Sequence, residues 1–135
     1  MKQLTDHRKL AVVLSTLLTV MNLSLVAGPR DGQWKKVENA MNQGLPKTAI
    51  TNLEPIIESA LKDKAYAEAT KAICRKIALE GAIQGNKPEE KITRLQAEIV
   101  KAPKEMVPVL ETVLAHWYWQ YFQQNNWRFM TSSRG

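Results

Sequence analysis

Apolar residues in this chain recur at intervals of three and four, and no stretch alternates with the period of two that a half-buried strand requires. The pattern predicts an all-α fold of about five antiparallel helices joined by short turns. Asp31 is placed to cap a first helix whose inward residues are Trp34, Val37 and Met41, and Gly44 ends it. Pro46 suits the first turn of a second helix, with Ala49, Ile50, Leu53, Ile56, Ile57, Ala60 and Leu61 on one broad stripe. Pro55 interrupts that stripe and is expected to kink or split the helix, because its ring removes a hydrogen bond and clashes one turn back.

A tight joint at Asp63 and Lys64 leads to a third helix faced by Tyr66, Ala69, Ile73, Ile77 and Ile83. Gly85 and Asn86 end it, and Pro88 opens a fourth lined by Ile92, Leu95 and Ile99. A fifth is expected from about residue 104 to 125, bent or delayed by Pro108. Helix pairs of this size resemble an α-solenoid of the tetratricopeptide type, although large and small residues do not recur at a consistent 34-residue period.

The fifth helix carries the most distinctive pattern. Seven of the nine aromatic residues fall in the run 117–129. On a helical wheel Met106, Val109, Leu110, Val113, Leu114, Trp117 and Tyr121 form a core-facing stripe, with Tyr118 at its edge. Trp119 lies roughly 200° from Trp117 and joins Ala115 and Phe122 in a second apolar strip. An uncovered strip of that kind would expose on the order of 300 Å², near the upper end for a lone monomer. Ala115, Trp119 and Phe122 are therefore the candidate interface. Other readings are packing of the strip on the first helix through Trp34, a membrane-interface belt, and a carbohydrate platform. The Gln120, Gln123 and Gln124 flank lacks the lysines an anionic membrane surface attracts.

The N-terminus reads differently. Lys2, Arg8 and Lys9 precede a mostly apolar stretch at 10–27, and Val26, Ala27 and Gly28 supply the small residues of a cleavage site. Residues 1–28 are expected to be an export signal, 29–130 a helical domain and 131–135 a flexible polar tail, which places the protein in the periplasm or cell envelope. The alternative is an uncleaved anchor, but Ser15, Thr16, Thr19, Asn22 and Ser24 dilute a stretch barely long enough for about 30 Å of hydrocarbon. Removing 28 of the 135 residues leaves 107, enough for one modest core.

Charge and chemistry narrow the function. The formal charge of +6 falls to +4 without Lys2, Arg8, Lys9 and Asp6, and the excess is dispersed, so nucleic acid is not an expected partner. Lys71, Arg75 and Lys76 form the densest basic group. Glu58/Lys62, Glu90/Arg94 and Arg94/Glu98 stand at helical spacing and suggest solvated pairs. Cys74 is the only cysteine, so no intramolecular disulfide forms; beside Ile73 and Ile77 it reads as core. Past residue 28 there are one histidine (His116) and two aspartates (Asp31, Asp63), from which neither a catalytic triad nor a zinc site assembles. Glu89 and Glu90 fit the opening turn of a helix. No enzyme activity and no cofactor are expected.

The run Trp117-Tyr118-Trp119-Gln120-Tyr121-Phe122, continuing to Phe129 and Met130, resembles a segment near the N-terminus of large bacterial alpha-2-macroglobulin-like proteins. Trp34-Lys35-Lys36-Val37 and Gly44-Leu45-Pro46-Lys47-Thr48-Ala49 fit the same region, so the resemblance covers roughly residues 31 to 130. It implies an exported envelope protein of a family that traps proteases, with this helical unit preceding β-sandwich domains. The family's thioester motif has no counterpart, since Cys74 lies in Ile73-Cys74-Arg75-Lys76. The resemblance thus implies the leading segment of such a protein, a scaffold for protein contacts and not an inhibitor by itself. The competing expectation is a free-standing periplasmic adaptor of tetratricopeptide type.

Overall fold

The computed structural model describes residues 28–132, and within them the chain is all-helical. Residues 1–27, which hold most of the expected export signal, lie outside the described part, as do 133–135. The helices are α1 (Asp31–Asn42), α2 (Pro46–Lys62), α3 (Tyr66–Ile83), α4 (Pro88–Lys101) and α5 (Val107–Ser132). Two compact units divide the chain, Met1–Asp31 and Gly32–Gly135. In the first, the Gly28 N–H donates to Oδ2 of Asp31 at 2.8 Å. Asp31 thus sits inside the first helical turn and reaches back, where the sequence suggested a cap ahead of it.

In the second unit the helices pack in chain order. Glu54 of α2 meets Lys76 of α3, Glu80 of α3 meets Arg94 of α4, and Glu89 of α4 meets Tyr121 of α5, so successive helices run antiparallel. Two of the connections are the same three-residue device. Gly44 and Lys64 adopt left-handed φ values of 67° and 56°. The next N–H in each turn reaches back five residues, Leu45 to Ala40 O at 2.9 Å and Ala65 to Ala60 O at 2.8 Å. This is the Schellman arrangement, which satisfies carbonyls left over at a helix end. Each turn's last residue also accepts the first bond of the following helix, from Ala49 and Ala69. Ala40, Ala49, Ala60 and Ala69 are buried. Small residues at such joints let helices approach closely, as α2 and α3 do.

Two core clusters result. One gathers Val37, Ala40, Ala49, Leu53, Ile56 and Ala72 from α1, α2 and α3. The other gathers Ala60, Ala69, Ile73, Ile77, Leu95, Met106 and Leu110 from α2 to α5. Several expectations need correction. Pro55 does not split α2, which runs unbroken for 17 residues. Pro55 and Thr51 are exposed, so the carbonyl that loses its donor faces water. Ile83 and Val109 are 41% and 40% exposed and leave the core faces assigned to them. Arg94 turns away from Glu90 and Glu98 and pairs across helices with Glu80 at 2.6 Å. The fifth helix begins at Val107 and extends past residue 125 through Ser132.

Candidate docking face on the last helix

Lys104–Met106 form a turn in which the Met106 N–H donates to Pro103 O at 2.9 Å, and Pro108 occupies the second position of α5. A proline is harmless there, because the first-turn N–H groups have no partner within the helix. From that start α5 continues for 26 residues against 14 for α4. At 1.5 Å per residue it is roughly 39 Å long against roughly 21 Å. Tyr121 meets Glu89 near the start of α4, so the last turns of α5 lie beyond α4 altogether.

The inner side of α5 is held by apolar packing and a polar clasp. Met106 and Leu110 are fully buried, and Val113, Leu114 and Trp117 pack against the same cluster. Further along, the Lys91 ammonium lies 4.2 Å from the centre of the Trp117 ring. Gln96 Nε2 donates to the Tyr118 hydroxyl, and the Tyr121 hydroxyl donates to Oε1 of Glu89, both at 3.0 Å. Glu89 therefore serves α5 as well as the opening turn of α4. These three contacts depend on how α4 and α5 slide past one another, and local spacing carries no trace of that register.

The outer side carries the candidate interface, and the structure brings all three residues together on one exposed strip. Trp119 is 58% and Phe122 46% exposed, and Ala115 is exposed one turn earlier. The two rings stack with centroids 6.0 Å apart and planes 27° from parallel. Together they leave on the order of 250 Å² of aromatic surface in contact with water. Trp34 does not cover them. Its indole packs beside Val37 and donates to Glu68 of α3, with Lys71 over its ring at 4.4 Å. Between Thr112 and Trp127 no residue of α5 carries a formal charge, His116 aside.

Two other features compete for a role. A cleft of about 190 Å³ between α2, α3 and α4 is lined by Glu54, Ile57, Ile73, Lys76, Ile77, Glu80 and Glu98. Lys76 is bonded there to Glu54 at 2.5 Å. That hydrogen bond holds its ammonium above the ordinary lysine range; burial opposes the shift, and the charges of Glu54, Glu80 and Glu98 reinforce it. A shallower apolar hollow of about 280 Å³ lies between the Gly44–Thr48 turn and Ile83. Half-buried Cys74 packs against the second core cluster, and burial pushes its thiol up to about 11 although Lys91 pulls the other way. A thiol so rarely ionised is a poor nucleophile.

Among the described residues no helix is long and apolar enough to cross a membrane, and no three His, Cys, Asp or Glu side chains gather where they could hold a metal ion. Compared with known proteins, the chain matches no family model, no curated protein and no solved structure.

Proposed function

We propose that this chain is an exported helical docking domain that engages a protein through the Ala115, Trp119 and Phe122 strip of α5. The observation that carries the reading is the stacked, exposed Trp119–Phe122 pair on a helix whose opposite side is already committed to the core. The resemblance to the leading segment of bacterial alpha-2-macroglobulin-like proteins supports it, because such a segment would have neighbouring domains to contact. On this reading the domain is a scaffold of the periplasm or cell envelope. It assigns no catalytic residue, takes no cofactor and blocks no protease alone. Nucleic acid has no part, and a membrane enters only through the N-terminal segment. The test is Trp119→Glu in dilute solution: a charged residue on a docking face leaves the melting temperature nearly unchanged there, whereas one in a core unfolds the domain. Loss of the fold would remove the reading.

A second reading, a tetratricopeptide-like adaptor for peptides, is favoured by one relationship. Trp34 bonds Glu68 and Glu38 bonds Arg75, so α1 and α3 run parallel at spacings of 34 and 37 residues. Its binding surface would be the acid-rimmed cleft. Peptide binding that survives Trp119→Glu and is lost in Glu98→Lys would favour it over docking through α5.

A further inference from the structure

The two ends of the helical array differ in a way that selects a partner. At the α1 end the outward residues are Lys35, Asn39 and Asn42, all exposed and polar. At the α5 end they are aromatic. Stacked-helix arrays stay soluble when both terminal helices present polar outer faces. The first helix thus presents a polar outer face and the last an aromatic one.

The exposed face of α5 also has the spacing another helix requires. Thr112, Ala115, Trp119, Phe122 and Asn126 follow one another at intervals of three, four, three and four, the seam of a two-helix contact. Tyr118 and Met130 flank it and are 45% and 68% exposed. The part of this seam that faces its own copy, with Tyr118, presents roughly 500 Å² per chain, so two copies would remove on the order of 1,000 Å² from water, the size of a weak, concentration-dependent contact. The seam bears no formal charge, so a copy of itself meets no repulsion and needs no complementary charge. Small Ala115 and large Trp119 are neighbours in the seam. Across a two-fold axis between them each bulky ring faces the other copy's small residue.

From these features we infer that the partner is a second copy of this chain, joined α5 to α5 about a two-fold axis. The inference rests on the docking reading and names its occupant. The contact is isologous and closes on itself, leaving a polar α1 face outward at each end. Head-to-tail growth is disfavoured because it would set the aromatic seam of one copy on Lys35, Asn39 and Asn42 of the next. The asymmetry of the two ends therefore produces a dimer and not a filament.

Sedimentation equilibrium of the full chain, with reductant present to keep Cys74 from cross-linking, tests this. The wild type is expected to dimerise reversibly as its concentration rises through the micromolar range, with no larger species. Trp119→Glu and Ala115→Glu should each weaken it by about 30-fold or more, as loss of a central anchor does, with helical content unchanged. Dimers that persist in both variants overturn the inference, and so do open-ended oligomers. A monomeric wild type together with a stable Trp119→Glu overturns the second copy while leaving the docking face intact for another protein. If Trp119→Glu and Ala115→Glu both unfold the chain, the strip is core and the docking reading falls with it.

Discussion

The indole N–H of Trp34 donates to Oε1 of Glu68 at 2.7 Å, and this bond ties α1 to α3 past the intervening helix. Lys71 lies over the same ring, so one aromatic side chain gathers an acid and a base from α3. Arg75 adds a second tie at 2.9 Å to Glu38. The basic group Lys71, Arg75 and Lys76 is thereby spent on internal contacts with α1 and α2, and does not form a patch for an anionic partner.

Replacing Trp34 with Phe should cost about 1 kcal/mol, since it removes a partly exposed hydrogen bond to a carboxylate and keeps most of the apolar contact. The urea midpoint should fall without a change in slope. Amide exchange should quicken in α1 before any other helix, because α1 contributes only Val37 and Ala40 to the buried core. Equal acceleration across α5 would mean that the bond does not act locally.

Lys64 and Gly44 hold the same left-handed position in matching turns, and only one of them is suited to it. A residue with a Cβ carries roughly 1 kcal/mol of strain there. Lys64→Gly should therefore stabilise the protein by about 0.5–1 kcal/mol. Gly44→Ala should destabilise it by about 1 kcal/mol, although nothing lies within 4 Å of the added Cβ. Thermal melts of the two variants should move in opposite directions.

Cys74 offers a pH-dependent readout. Its thiol is raised from 9.0 to about 11, chiefly by burial. Far fewer thiolates exist at pH 8, and the greater nucleophilicity of a more basic thiolate recovers only part of the loss. Alkylation at pH 8 should be about tenfold slower than for a free thiol. The rate should keep climbing to pH 11. The folded state holds this proton more tightly than the unfolded state, so the associated stability is complete below pH 9 and is lost as pH rises through 11. Lys76, also raised, acts in the same direction. Cys74→Ala should flatten the alkaline decline without abolishing it.

Helix number and order were legible in the sequence because three-and-four spacing and the Gly44, Pro46 and Pro88 punctuation are local signals. The division of α5 was legible for the same reason: wheel angles alone separate Trp119 from Trp117. What was hidden depends on register between helices. Arg94 had acids four residues away on either side in its own helix, yet it bonds Glu80 on α3. Glu89 looked like a helix-opening carboxylate and also receives the Tyr121 hydroxyl. Pro55 leaves α2 unbroken, and it sits on the exposed side of that helix. On the watered side the lost hydrogen bond is recovered from solvent.

The two faces of α5 should answer differently to the same chemical change. Leu110 is fully buried in a cluster that draws on four helices. Leu110→Ala should cost about 2–5 kcal/mol, the transfer energy of the lost methyl groups plus the cavity they leave. Trp119 is the larger side chain, but it packs on Phe122 and is more than half exposed. In dilute solution, where partner binding contributes nothing, Trp119→Ala should cost less than about 1 kcal/mol. As protein concentration rises the ordering changes. Association stabilises only a chain whose seam is intact, so the wild type should gain melting temperature with concentration while Trp119→Ala does not. Leu110→Ala should keep the concentration dependence from a lower starting point. Melts at two concentrations thus separate a residue that builds the helix's core side from one that serves its outer side. A large, concentration-independent loss in Trp119→Ala would place both faces in the core.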